Sequence, residues 1–357
     1  MLNFTVGPVM SSREVLDISA ESAPYFRTPE FSQMMLENEE LMLRFLNAPE
    51  GSRCAFLTAS GTGAMESVVM NVLSPADKVL VVNGGSFGAR FVQLCRLHKL
   101  QVTEVPVGFG HQLRADQLEA FAGQGCTALL VNMDETSSGL LYDMPMIAEF
   151  CKYNGIMLVV DAISAFLSDP LDMEGLGAAV VITGSQKALA VQPGVSVVAL
   201  SPGAVERVYS NDEACMYLSL KEALKNGERG QTPWTPAVSI LLQINARLRR
   251  IESSGGVEAE QERIAGRAQR FRALARDLGL EVVAESPSNA VTGVRAPKGN
   301  ARQVFSTLKD DYGIWVCPNG GDRADEMLRV GHIGSITADD EAELADALRD
   351  LRAKGIL

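Results

Sequence analysis

Residues 157–190 read MLVVDAISAFLSDPLDMEGLGAAVVITGSQKALA, and two apolar runs in this stretch each end on polar groups able to do chemistry. Met157 to Asp161 closes on a carboxylate, and Ala179 to Thr183 runs into Gly184-Ser185-Gln186-Lys187. Both runs are apolar at consecutive positions, the pattern of strands covered on both faces. Ala55 to Thr58, Lys78 to Asn83, Ala128 to Met133 and Val195 to Leu200 repeat the pattern, separated by longer helix-compatible stretches. Such alternation predicts an α/β domain on a largely parallel sheet, with a ligand crevice outside the carboxyl ends of its strands.

Farther along, Pro236 to Leu248 carries apolar residues at helical spacing, and Ser253-Ser254-Gly255-Gly256 should stop that helix, which marks a connector. A charged helix from Glu258 to Leu278 follows, then strands near Leu280 to Ala284 and Ala290 to Val294 and a helix from Ala301 to Asp310. Strands near Ile314 to Cys317 and Leu328 to Gly331 precede a closing helix from Asp339 to Lys354. The expected division is an N-terminal arm (1–20), able to pack with the small domain, a large α/β domain (21–250) and a small C-terminal α+β domain (251–357). The first 50 residues are less regular than the rest and are placed as packing back on the body.

With 357 residues, 46% hydrophobic and 21% charged, the chain has the composition of a globular protein larger than one ordinary domain. Its formal net charge of -12 disfavours nucleic acid, which needs a clustered basic face. The short basic cluster Arg247, Arg249, Arg250 reads as one solvated helix end. Anionic ligands must therefore be captured by local groups, meaning helix N-termini and individual arginines. The six cysteines (Cys54, Cys95, Cys126, Cys151, Cys215, Cys317) show no Cys-x-x-Cys spacing and no nearby histidine. That argues against a metal site and a disulfide framework and suits a reducing cytoplasm. Neither a basic segment leading into an apolar stretch nor an apolar run of about 18 residues is present, so neither a secretion signal nor a membrane span is expected.

Three constellations carry chemistry. Ala59-Ser60-Gly61-Thr62-Gly63-Ala64 lies between a strand and a helix-compatible stretch, where small residues, hydroxyls and helix N–H groups can cradle a phosphate. Alone, the same residues fit a plain strand-to-helix turn better than an anion site. Asp161 at a strand end suits a ligand partner, because burying a charge is costly unless it is paired, but it also suits a helix cap. Lys187 beyond the next strand suits a Schiff-base nucleophile whose amine is freed by desolvation; an exposed loop lysine is the plain alternative. Together, an anion cradle, a carboxylate and an amine at three strand ends match what pyridoxal phosphate requires.

This set resembles the class V aminotransferases of fold-type I, the branch with the alanine–glyoxylate, serine–glyoxylate, ureidoglycine–glyoxylate and 2-aminoethylphosphonate–pyruvate aminotransferases. The resemblance runs from Gly7-Pro8 to the C-terminal domain, and Gly184-Ser185-Gln186-Lys187 after Asp161 is its most specific piece. It implies pyridoxal 5'-phosphate held by Lys187 as a Schiff base, with Lys187 then acting as general base and acid, and Asp161 on the ring nitrogen. It further implies a phosphate cradle of Ser60, Gly61, Thr62 and Gln186, a ring stacked on Phe87 and resting on Ile163, and Thr136 on the phenolic oxygen. Thr232 and Thr235, in the segment from Gln231 to Pro236, resemble ligands that one subunit lends to the other's phosphate, which implies a homodimer with shared sites. Arg329 matches the arginine that grips the substrate carboxylate, and Gly7 with Pro8 the loop that closes over the substrate. Arg27 lies in a recurrent segment without an assigned role, and His332 is read as structural.

The activity this implies is transfer of an amino group from a small donor to glyoxylate or pyruvate. Alanine, serine, aspartate, ureidoglycine and 2-aminoethylphosphonate all remain open as donors. A class V lyase or cysteine desulfurase is a second reading, weakened because no cysteine sits in an evidently electropositive loop. A noncatalytic nucleotide-binding module is a third, and it leaves Asp161 and Lys187 unexplained.

Overall fold

Alternate residues of each apolar run point to opposite faces of one sheet, and both faces are covered. In the computed structural model, which describes residues 1–357, the strands are β1 (Arg53–Leu57), β2 (Lys78–Asn83), β3 (Gln101–Pro106), β4 (Ala128–Asn132), β5 (Met157–Asp161), β6 (Ala178–Gly184) and β7 (Ser196–Leu200). Their order is β1-β7-β6-β5-β4-β2-β3. Strand β7 runs antiparallel to β1 and β6, and every other pair is parallel. Strands β1 to β6 therefore share one direction, and their carboxyl ends share one edge. Leu80, Val82, Leu129, Val131, Leu158 and Val160 fill one layer; Val79, Val81, Leu130, Val159, Val180 and Ile182 fill the other. That two-sided burial is what makes the runs continuous.

The connector helix Val238–Ser253 ends at Gly255 and Gly256, both at positive φ, and helix Gly256–Asp277 starts there. Only glycine takes that backbone cheaply, so the turn is written in the residue pair. Beyond it, helices Gly256–Asp277, Ala301–Tyr312 and Ala338–Ala353 pack with a three-stranded antiparallel sheet of β8 (Val291–Arg295), β9 (Cys317–Pro318) and β10 (Met327–Gly331), ordered β8-β10-β9. No helix is long and apolar enough to cross a membrane.

Four expectations need correction. Leu280 to Ala284 forms no strand, only the single bridge Val282 to Val294. Ile314 to Cys317 is broken at Val316: Ile314–Trp315 pairs with Leu2–Asn3, while Cys317–Pro318 pairs with β10. The edge strand β3 was not foreseen. The first 50 residues are more regular than expected, holding helices Arg13–Ala20 and Pro29–Phe45. Thr28 caps the second by accepting from Phe31 N–H, with Pro29 in its first turn.

Candidate active site

Register sets the site, because the strand ends that share an edge carry its polar groups. In β4 and β5, Asn132 is paired with Asp161, which puts the Asn132 amide on Asp161 Oδ2. Ile163 N–H donates to Asp161 Oδ1 at 2.9 Å. The carboxylate is 5% exposed and has no ion-pair partner. Burial pushes its pKa up to about 6, against the pull of these two hydrogen bonds and of Lys187.

Lys187 follows β6 on the same edge. Burial lowers the pKa of its amine, Asp134 and Asp161 oppose that, and Arg329 adds to it. The arm crosses directly over this side chain. A Cβ on Gly7 would meet Lys187 Cδ at 2.8 Å, and Gly7 sits at φ 133, so the lysine stem and the arm share one narrow space. Val9 N–H donates to the Gln186 carbonyl at 3.3 Å.

After β1, Ser60 caps helix Gly61–Asn71 and accepts from Gly63 N–H at 3.3 Å, leaving the helix N-terminus open to an anion. Gly61 lies close under Ile163, and a Cβ there would lie 2.4 Å from Ile163 Cδ1 and push that side chain aside. After β2, Phe87 opens helix Ser86–Leu97. Arg90 ties these pieces together: Nη1 donates to Thr62 Oγ1 at 3.0 Å, and the guanidinium lies over the Phe87 ring at 4.9 Å. After β4, the Thr136 hydroxyl pairs with Ser164 Oγ at 2.7 Å, while its carbonyl accepts from Arg329 Nη1 at 3.0 Å. Arg329 Nη2 reaches the Pro318 carbonyl at 3.2 Å, and its Nε is buried without a partner.

Residues 19–330 match the family model described as aminotransferase class-V. The chain belongs to the class-V aminotransferases. The aminotransferase is 30% identical to an L-aspartate–glyoxylate aminotransferase of Paracoccus denitrificans over 87% of this chain and 81% of the relative. A soluble hydrogenase 42 kDa subunit of Anabaena cylindrica is 31% identical, over 87% and 82% of the two chains. The structure of an aspartate aminotransferase from Thermus thermophilus superposes with a TM-score of 0.92 at 26% identity, covering 99% of both chains. The fold is that of the fold-type I enzymes, and the cofactor is pyridoxal phosphate.

The aminotransferase's own residues fit that cofactor. A buried carboxylate with no cation suits a protonated ring nitrogen, and the helix N-terminus beside Arg90, which has no carboxylate partner, suits a phosphate. Ile163 and Phe87 offer apolar surfaces for a flat ring, and no cluster of His, Cys, Asp or Glu is placed to hold a metal ion.

Thr232 and Thr235 lie beside Leu57 and Thr58 at the end of β1 but share no hydrogen bond with the other candidate residues. The Thr232 hydroxyl donates to the Trp234 carbonyl at 2.8 Å, and Thr235 is exposed. Arg27 acquires a role here, donating to Gln231 Oε1 at 3.0 Å and to the Thr232 carbonyl at 2.9 Å, which fixes this loop. His332 is structural: its Nε2 pairs with Thr292 Oγ1 at 2.8 Å, and burial lowers its pKa to about 3.

Arg90, Asn132, Ser164 and Glu135 escaped the sequence reading. Glu135 is 1% exposed and accepts from Gly88 N–H at 3.1 Å, so it anchors the helix that presents Phe87. A polar group at the end of a buried strand was the available signal for Asn132. Nothing local marked the others.

Proposed function

We propose that this aminotransferase moves an amino group from a small amino donor to glyoxylate or pyruvate, with Lys187 as its catalytic residue. The observation that carries this is the convergence of Lys187, Asp161 and Arg329 at one edge of the sheet, where their charges act on one another. Pyridoxal phosphate, when bound, supplies the electron sink for a carbanion. Asp161 holds negative charge at the position where the ring nitrogen would carry its proton. Lys187 Nζ, whose pKa burial lowers, accepts and returns a proton. Ser60, Gly61, Thr62 and Gln186 would hold the phosphate, and Phe87 and Ile163 would keep water from the ring faces. Thr136 would meet the phenolic oxygen.

Arg329 would orient the substrate carboxylate. Its fork is aimed by two backbone carbonyls and can offer parallel hydrogen bonds, with Gly7 closing from the arm side. Glyoxylate as acceptor and aspartate as one candidate donor are supported by the Paracoccus relative. Thr232 and Thr235 make no hydrogen bond to the other candidate residues of their own chain, which fits a homodimer in which they serve the other subunit. The six unpaired cysteines favour a reducing cytoplasm.

The test is a donor screen with alanine, serine, aspartate and 2-aminoethylphosphonate against glyoxylate and pyruvate. Amino transfer from at least one carboxylate-bearing donor is the expected result. Cofactor retention with no transfer from any donor would overturn the reading.

A further inference from the structure

The cluster Arg247, Arg249, Arg250 is not a uniformly solvated helix end. Arg249 is exposed and pairs with Glu37, but Arg247 and Arg250 line a polar cavity of about 350 Å³. It lies where the connector helix, helix Gly256–Asp277 and the N-terminal arm meet, and Arg263 and Arg267 enter from the small domain. Four guanidiniums face two carboxylates, Glu14 and Glu260, which leaves an excess of two positive charges in a chain of net charge -12.

The local bonds do not remove that excess. Glu260 is 5% exposed and takes Arg247 on one oxygen and Arg263 on the other, so a single negative charge serves two cations. Arg267 donates to the carbonyls of His332 (3.1 Å), Gly334 (3.1 Å) and Ile336 (2.8 Å), which orient it without neutralising it. Neither Arg250 nor Arg267 has an ion-pair partner. The pyridoxal phosphate crevice uses none of these groups.

We propose that this cavity is a second, regulatory anion site that takes a phosphate dianion, either free or as the headgroup of a small metabolite. Two uncompensated charges match a dianion, and guanidinium forks suit phosphate oxygens. The volume falls at the lower end of the roughly 300–1,000 Å³ usual for small-molecule sites, so an organic group has room as well. Each wall of the cavity leads to the catalytic crevice. Arg247 Nε donates to the Leu189 carbonyl at 3.1 Å, two residues past Lys187. Arg267 grips the loop that follows β10, the strand of Arg329, and Ser335 N–H donates to the Met10 carbonyl of the arm at 2.8 Å. An anion here bridges three segments that meet around the substrate.

Calorimetric titration of the holoenzyme at fixed ionic strength tests this, with inorganic phosphate and glycerol 3-phosphate as probes and chloride as control. The expected result is saturable binding of one dianion per chain. It should be weakened at least about tenfold in Arg250→Ala/Arg263→Ala, given the usual strength of hydrogen bonds to charged groups. Both substituted residues are exposed and Arg247 remains paired with Glu260, so the variant should fold and keep its phosphate-free rate of amino transfer. Tighter binding of glycerol 3-phosphate than of inorganic phosphate identifies a metabolite headgroup, and equal binding identifies free phosphate; either supports the site. Absence of saturation, or undiminished binding in the double variant, overturns it.

Discussion

Asp161 and Glu260 are buried to the same degree, each 5% exposed, yet the protein treats them in opposite ways. Glu260 sits between two guanidiniums of its own chain, while Asp161 has only an amide and a backbone N–H. A carboxylate left without a cation at that depth is a cost the fold bears on its own, and its raised pKa expresses that cost. The difference separates a carboxylate that completes the fold from one that, on the proposed function, is reserved for a ligand.

The largest effect expected from this contrast is at Lys187. Lys187→Ala should lower turnover by at least about 10³-fold, at the upper end of what a positioned general base contributes, while the melting temperature stays near that of the parent. Normal turnover in this variant would sink the assignment.

Arg329→Ala should lower kcat/KM by about thirty- to several-thousand-fold, the equivalent of roughly 2–5 kcal/mol for a lost bidentate pair. The cofactor's visible band should persist, and Arg329→Lys should recover only part of the loss. Loss of the band would move Arg329 from the substrate to the cofactor side.

Asp161→Asn should cut turnover by about 10²–10³-fold, the range for loss of one preorganised electrostatic contact, and weaken cofactor retention. It also carries a pH signature. The folded pKa of Asp161 is raised to about 6 from the ordinary aspartate value of 3.8. Between those values the folded state binds more protons than the unfolded one, so stability falls as pH rises from about 4 to 6. In the cofactor-free protein this contributes a loss of up to about 3 kcal/mol. Denaturant melts across that window should show the slope in the parent and not in Asp161→Asn; identical slopes would mean that Asp161 is not protonated there.

Glu260→Gln should behave in the opposite sense, costing roughly 1–3 kcal/mol of stability because it strips Arg247 of its partner, with little change in cofactor affinity. A Glu260 variant that loses cofactor as readily as the Asp161 variant would dissolve the distinction between the two carboxylates.

The fold was legible wherever burial was two-sided. Lys78–Asn83 and Met157–Asp161 could be read to the residue because their continuous apolar runs leave no second interpretation. Strand β3, Gln101-Val102-Thr103-Glu104-Val105-Pro106, escaped because it is an edge strand, half polar and closed by proline. Helix Pro29–Phe45 had a legible start in Thr28-Pro29-Glu30, but its methionines and glutamates make a weak apolar stripe. In the site, Asp161 and Lys187 were legible as strand-end residues. Arg90 was not, because its meaning depends on Thr62 and Phe87, brought together from two different strand ends. Asn132 depends in the same way on the register between β4 and β5.

The crossing of the arm over Lys187 has a practical consequence. Residues 2–3 are stitched to Ile314–Trp315 of the small domain, and helix Arg13–Ala20 lies on the connector helix. Gly7 is between these two moorings, against the lysine stem. A probe or surface tether attached to residues 2–5 therefore pulls on a segment that lies against the Lys187 stem, whereas a label on the exposed end of helix Ala338–Ala353 does not. For immobilisation or fluorescence work on this enzyme, the choice of terminus decides whether the instrument reads the chemistry or disturbs it.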